Sequence, residues 1–109
     1  DIRKEFETEL FIPGSKEGLN VELDKAFRLN DFITMGELIA YDALNRNESC
    51  GGHFREEYQT EEGEAKRDDE NFFYVACWEY QGSDDKAPVL YKEPLVYEAI
   101  KVQTRNYKS

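Results

Sequence analysis

The feature that most constrains this chain is one long stretch without proline, residues 21–47, in which Gly36 is the only residue that strongly disfavours a helix. Asn20 stands directly before it and is a good helix cap. We therefore predict a helix over residues 20–47. At 1.5 Å per residue it would be about 40 Å long. A globule of 100 residues has a radius of gyration of only about 13 Å, so this helix would be as long as the whole domain is wide.

The periodicity of this stretch predicts a helix that needs neighbours on several sides. Its polar positions fall on one stripe, with Tyr41 bridging a gap: Asn30, Thr34, Glu37 and Asn45. Apolar residues cover more than half of the circumference, whereas a helix on a small domain usually has a narrower apolar face. They are Phe32, Ile33, Met35, Leu38, Ile39, Ala40, Ala43 and Leu44.

The segment before the long helix also has a helical pattern. Ile2, Phe6 and Leu10 recur every four residues, and Pro13-Gly14 ends the pattern. We interpret residues 1–12 as the end of a helix, with no room for a capping residue before it.

After the long helix, residues 48–71 are predicted to form an acidic loop segment. Between Glu56 and Glu70 there are eight acids and two bases, so this stretch carries six of the ten net negative charges. For residues 61–66 we favour a solvated loop.

The remainder is predicted to be a β meander over residues 72–102, followed by a basic tail at residues 103–109. Residues 72–80 are aromatic-rich without a helical period, which favours a strand. Residues 87–91 and 95–102 predict two more strands, separated by residues 92–94. The expected fold is mainly α, a helical-bundle fragment with one long helix plus a small antiparallel β extension.

Composition excludes several classes of protein. The chain of 109 residues has 24 acids and 14 bases, for a formal net charge of -10. Binding to nucleic acid or to an anionic membrane needs an excess of bases, so we expect neither. No apolar run approaches the roughly 18 residues that span a bilayer. Two cysteines are too few for a disulfide scaffold and favour a reduced, cytosolic setting.

Catalytic and metal sites have weak support from the residues themselves. His53, the only histidine, lies close to Ser49 and Cys50, but this spacing does not establish a nucleophile and base in contact. There is no zinc-ligand spacing, no calcium loop and no G-x-G-x-x-G or P-loop. We predict no catalytic, cofactor-binding or metal residue. For Gly51-Gly52 a helix-terminating turn is favoured over a phosphate cradle.

Residues 42–58, DALNRNESCGGHFREEY, resemble the C-terminal domain of the succinate dehydrogenase/fumarate reductase flavoprotein subunit family. Such domains carry a long helix ending in Arg-x-Glu-Ser, a glycine turn and His-x-Arg-x-(Asp/Glu)-(Tyr/Phe), followed by Arg-Asp-Asp. The matching residues are Arg46, Glu48, Ser49, Gly51, His53, Arg55, Glu57, Tyr58 and Arg67-Asp68-Asp69. The sequence of the long helix and the terminal TRNYK also resemble this family, so the resemblance covers essentially the whole chain.

The resemblance implies a parent oxidoreductase that interconverts fumarate and succinate, as in the tricarboxylic acid cycle or anaerobic respiration. Its FAD would be held by flavin and capping domains that are not in this chain, and electrons would pass through an iron–sulfur subunit to or from quinone. A membrane anchor subunit would hold the complex on the inner face of the cell membrane. This chain alone should be inactive and should bind no FAD.

The resemblance and the glycine pair together lead to an interface hypothesis for the segment after the helix. We expect it to lie on the flavin domain, with the glycines allowing close approach and the cations pairing with acids there or in residues 67–70. The interface residues would be Arg46, Ser49, Cys50, Gly51, Gly52, His53 and Arg55. Two alternatives remain: the corresponding domain of L-aspartate oxidase, and a free-standing acidic helical adaptor. The apolar helix also predicts that the chain self-associates.

Overall fold

In a computed structural model of the chain, residues 1–104 and 106 are described. The elements in chain order are α1 (Ile2–Glu9), α2 (Val21–Asn45), α3 (Asp69–Phe72), β1 (Tyr74–Glu79) and β2 (Val89–Pro94). The chain divides into two compact units, Asp1–Asp42 and Ala43–Ser109. The long helix and the antiparallel sheet confirm the predicted fold class. The predicted basic tail at 103–109 lies largely outside the described residues.

The prediction that residues 1–12 leave no room for a helix cap is wrong, because Asp1 is itself the cap. The Asp1 side chain accepts a hydrogen bond from the backbone N–H of Arg3 at 3.1 Å. A carboxylate at this position satisfies one of the free N–H groups of the first turn. α1 then runs from Ile2 to Glu9, so it is a short capped helix in residues 1–12.

The long helix is confirmed, and so is the role of Asn20. The side-chain oxygen of Asn20 accepts from the N–H of Leu23 at 3.2 Å, which is the hydrogen bond of a helix cap. α2 ends at Asn45, two residues before the predicted end. A polar contact connects α2 to α1 within the first unit: Arg3 Nη2 donates to Glu37 Oε2 at 2.8 Å and to Thr34 Oγ1 at 3.3 Å.

The sheet has two strands, so the predicted three-stranded meander is wrong in the part of the chain that the structure describes. β1 and β2 pair antiparallel, with Tyr74 opposite Pro94 and Glu79 opposite Val89. Residues 92–94, which were predicted to separate the second and third strands, are the end of β2. The next N–H, of Leu95, still donates to Phe73 O at 3.2 Å, so the chain continues along β1 and does not return as a third strand.

A short helix also replaces part of the predicted loop and strand. α3 covers Asp69–Phe72, and the Asp68 side chain caps it by accepting from the N–H of Asn71 at 3.2 Å. Helical backbone at Phe72 moves the start of β1 to Tyr74. The aromatic run therefore begins in a helix and becomes a strand two residues later.

The interior of the described chain is unusual for its chemistry. Its fully buried side chains are polar, Glu48 at 2% exposure and Ser49 at 0%. No hydrophobic residue among those described is buried to that degree. Burial of apolar surface is the main stabilising term in folding. Since large apolar side chains stay exposed, the two units gain only part of the free energy that this burial could supply.

Candidate functional site

The first component of the candidate site is Glu48, directly after the long helix. Its Oε1 accepts from Arg46 Nη1 at 2.9 Å, and its Oε2 accepts from the backbone N–H of Asp68 at 2.9 Å. Both carboxylate oxygens thus have a donor, which compensates for the removal of the charge from water. Glu48 thereby holds the end of the acidic loop next to the end of α2.

Ser49 forms the second buried contact. Its Oγ accepts from the N–H of Arg55 at 2.8 Å and donates to the carbonyl of the same residue at 3.2 Å. Its backbone N–H donates to Lys66 O at 2.9 Å. Ser49 therefore connects three segments, and its hydroxyl is fully used inside the chain.

Between these contacts, residues 50–53 form a two-residue β-hairpin. Cys50 N–H donates to His53 O at 2.8 Å, and His53 N–H donates to Cys50 O at 3.0 Å. Gly51 has φ +57°, and Gly52 is not among the residues with positive φ, the pattern of a type II′ turn with glycine first. The expected helix-terminating turn is thus a hairpin that starts five residues after α2 ends.

The tip of this hairpin is exposed. Cys50, Gly51 and Gly52 are all open to solvent, and a Cβ placed on either glycine would meet no atom within 4 Å. The glycine pair therefore has no close neighbour in this chain. It leaves a flat piece of backbone that another surface can approach.

His53 and Arg55 close the C-terminal end of α2. His53 Nε2 lies 2.9 Å from Arg46 O, and since a carbonyl oxygen only accepts, Nε2 is the donor. Arg55 Nη1 donates to Leu44 O at 3.3 Å, to Arg46 O at 3.3 Å and to Asn47 Oδ1 at 2.9 Å. The last carbonyls of a helix lack partners within it, and cations there are favoured by the helix dipole. These contacts give partners to the carbonyl of Leu44 in the last turn of α2 and to that of Arg46, the residue after it.

Arg46 is held from several directions. Besides Glu48, its guanidinium donates to Phe72 O at 3.1 Å and to Tyr74 O at 3.4 Å. It also lies 5.1 Å from the centre of the Tyr74 ring, and Lys92 Nζ lies 4.6 Å from the same ring. Cation–π contacts of this kind stabilise a packed aromatic side chain. Arg46 thus links the end of α2 to the start of the sheet.

Two surface pairs complete the charge arrangement. Arg67 Nη2 binds both carboxylate oxygens of Asp69 at 2.6 Å, which raises the pKa of Arg67. Arg55 Nε donates to Glu57 Oε1 at 2.7 Å. A backbone hydrogen bond at Glu57, and then this hydrogen bond from Arg55, lower the pKa of the Glu57 carboxyl.

The segment that we predicted as an interface is therefore a connected structure within the second unit. Arg46, Ser49, His53 and Arg55 contact one another or share partners, and their cations bind acids and carbonyls of this chain. Whether the segment also contacts another domain stays a prediction. Sequence reasoning missed the central position of Glu48. Its two-residue spacing from Arg46 was the available signal.

The glycine pair does not lie in the setting of a dinucleotide phosphate cradle. A dinucleotide phosphate cradle needs its glycines between a strand and the start of a helix. Gly51-Gly52 lies instead between two bridge residues of a hairpin. Within residues 1–104 and 106, no group of three or more His, Cys, Asp or Glu side chains could hold a metal ion.

Comparison with known proteins assigns the family. The model of the fumarate reductase flavoprotein C-terminal family matches residues 1–107. The chain belongs to this family. It is thus a C-terminal domain of fumarate reductase/succinate dehydrogenase flavoproteins, which are oxidoreductases. No curated protein and no solved structure gives a significant match. Across the described residues, no helix is both long and apolar enough to cross a membrane.

Proposed function

We propose that this chain is the C-terminal domain of a flavoprotein subunit that interconverts fumarate and succinate, and that it supports the FAD and capping domains without binding substrate. The family match over residues 1–107 carries this proposal. In this role, FAD is held by the other domains of the subunit. Electrons pass between the flavin and quinone through an iron–sulfur subunit, and an anchor subunit holds the complex on the cytoplasmic face of the membrane.

The docking element that we propose is the hairpin tip at Cys50, Gly51 and Gly52. Three properties support it: the tip is exposed, its glycines have no neighbour within 4 Å, and its base is fixed by Ser49 and the end of α2. A rigid, exposed element costs little conformational entropy on docking. The β1–β2 extension also favours a fumarate reductase or succinate dehydrogenase over L-aspartate oxidase.

The decisive experiment places a side chain on the tip of the intact subunit. Gly52→Leu projects into open space in this chain and needs no positive φ, so we expect the domain itself to fold. If the tip lies on the flavin domain, the leucine will block the approach, and FAD content and assembly with the iron–sulfur subunit will fall. Glu61→Leu, on an exposed turn of the acidic loop, is the matched control.

The readouts separate docking from folding. Flavin absorbance per subunit and co-purification of the iron–sulfur subunit measure docking. Far-UV circular dichroism of the 109-residue chain measures folding. Normal FAD content and assembly in Gly52→Leu would contradict the proposed docking surface.

Arg55→Ala should also lower FAD content and assembly, but through loss of the support under the hairpin. The isolated chain should show no flavin absorbance and no succinate oxidation, and stoichiometric bound flavin would contradict the assignment of a supporting role.

A further inference from the structure

The face of α2 that does not meet α1 carries a continuous apolar stripe, formed by Phe32, Met35 and Ile39. Their spacing of three and four residues places them on one side of a helix with 3.6 residues per turn. All three are exposed, at 66%, 53% and 64%. Arg3 of α1 binds Thr34 and Glu37, which lie on the opposite side of α2. The contact with α1 therefore leaves the stripe uncovered.

The shape of the stripe suits another helix. Gly36 lies about one turn after Phe32 on the helix surface, and a Cβ placed on Gly36 would meet no atom within 4 Å. A glycine beside large side chains leaves a recess into which a side chain of a facing helix can fit. The alternating spacing of three and four is also the pattern by which two helices interlock their side chains along a common seam.

Charges at the two ends of the stripe favour one orientation. Arg28 lies one helical step before Phe32, and Asp42 lies one step after Ile39. A second copy in parallel orientation would place each of these charges against its own kind. In antiparallel orientation, with Met35 facing Met35 of the second copy, Arg28 faces Asp42 and Phe32 faces Ile39. The Arg28–Asp42 pair and the Phe32–Ile39 pair thus match across two antiparallel copies of the stripe.

We propose that the stripe binds the same stripe of a second copy of this chain, with the two α2 helices antiparallel and centred on Met35. Arg28 also pairs with Asp24 of its own helix at 3.1 Å, with both side chains largely exposed. Such exposed pairs are weak and exchange readily, so the guanidinium can reach across to the second copy. The proposal concerns the 109-residue chain in solution and does not depend on the proposed enzymatic role.

Sedimentation equilibrium of the chain tests the interaction. We expect a monomer–dimer equilibrium that Phe32→Glu weakens by about tenfold or more, which corresponds to a loss of roughly 1.4 kcal/mol. Phe27→Glu is the matched control, because Phe27 is equally exposed, at 67%, on another side of α2. The control should leave the dissociation constant within about twofold. A monomer at high concentration would overturn the proposal, and so would equal effects of the two substitutions.

Disulfide trapping tests the orientation. In a Cys50→Ser/Cys77→Ser background, which removes both native thiols, Met35→Cys should form a covalent dimer on mild oxidation and Phe27→Cys should not. A mixture of Phe32→Cys and Ile39→Cys chains should give the mixed dimer in preference to either symmetric one. Preference for the symmetric Phe32→Cys dimer would indicate parallel helices and overturn the antiparallel arrangement. Circular dichroism confirms that each variant keeps its helix content.

Discussion

The two units of this chain are stabilised in different ways. In residues 1–42, the helices keep large apolar side chains exposed, and a polar contact of Arg3 connects them. In residues 43–109, two buried polar side chains accept hydrogen bonds from backbone N–H groups that lie six and twenty residues further along the chain. The exposed side chains of the first unit can be replaced by others of similar polarity. The second unit depends on specific hydrogen bonds between particular atoms. Mutations should therefore have sharply different effects in the two units.

The largest effect is expected at Glu48 in the second unit. Glu48→Ala leaves Arg46 and the N–H of Asp68 without their buried acceptor, and we expect the free energy of unfolding to fall by about 3 kcal/mol. Urea unfolding followed by the fluorescence of Trp78, the only tryptophan, measures it. The control, Glu61→Ala on the exposed loop, should change stability by less than about 0.5 kcal/mol. Similar losses in both variants would show that Glu48 is not the centre of this unit.

A smaller effect is expected in the hairpin. Gly51 has φ +57°, so Gly51→Ala should cost about 1 kcal/mol of stability by placing a Cβ in the left-handed region. Gly52→Ala lacks that backbone requirement and should cost clearly less. The same fluorescence measurement compares the two variants. A reversed order would mean that the turn has another geometry in solution.

In the first unit, Arg3→Ala should cost less than about 1 kcal/mol. The substitution removes the ion pair between Arg3 and Glu37. The Glu37 side chain is mostly exposed, and exposed ion pairs contribute little to stability. Thermal unfolding followed by circular dichroism at 222 nm measures the change. Lys25→Ala, which removes a pair within α2 alone, is the control. A loss as large as that of Glu48→Ala would remove the contrast between the units.

The smallest effect is the pH dependence due to Glu57. In the folded chain the pKa of this carboxyl is lower than that of an unfolded glutamate, which is about 4.3. The stabilisation is therefore complete above that pH and is lost as the pH falls through the folded pKa. Carboxyl titration by NMR should give a value below the unfolded one for Glu57. Arg55→Lys, which replaces the guanidinium, should move it upward, and an unchanged value would exclude Arg55 as a cause.

Local signals in the sequence were sufficient for the start of α2, because Asn20 and the helical period act within a few residues. They did not locate its end, where Arg55 donates to the carbonyl of Leu44 and His53 to that of Arg46, from residues well beyond the helix. The third predicted strand failed for a similar reason. Pro94 was predicted to lie between two strands, but it occupies the last pair of the sheet, opposite Tyr74. A proline is tolerated at such an edge position.

The candidate site, like the fold, was predictable only where local sequence signals define it. The glycine pair indicated a sharp turn, and the structure has one at Gly51. Glu48 could not be separated from the many other acids by composition, because its importance depends on Arg46 and Asp68. Arg46 is two residues away, but the N–H of Asp68 approaches only when twenty residues of intervening chain fold back. Hydrogen bonds over such separations leave no periodic pattern in a sequence.

The contact between Glu48 and Asp68 also has a consequence during synthesis. Ribosomes add roughly 5–20 residues per second, so the twenty residues between these partners take about 1–4 s to appear. During that interval Glu48 stays hydrated, and the hairpin has no fixed base at Lys66. α2 can form as soon as it emerges, since helices form within about a microsecond. The nascent chain therefore carries a finished helix with an open end until the residues that close it have been translated.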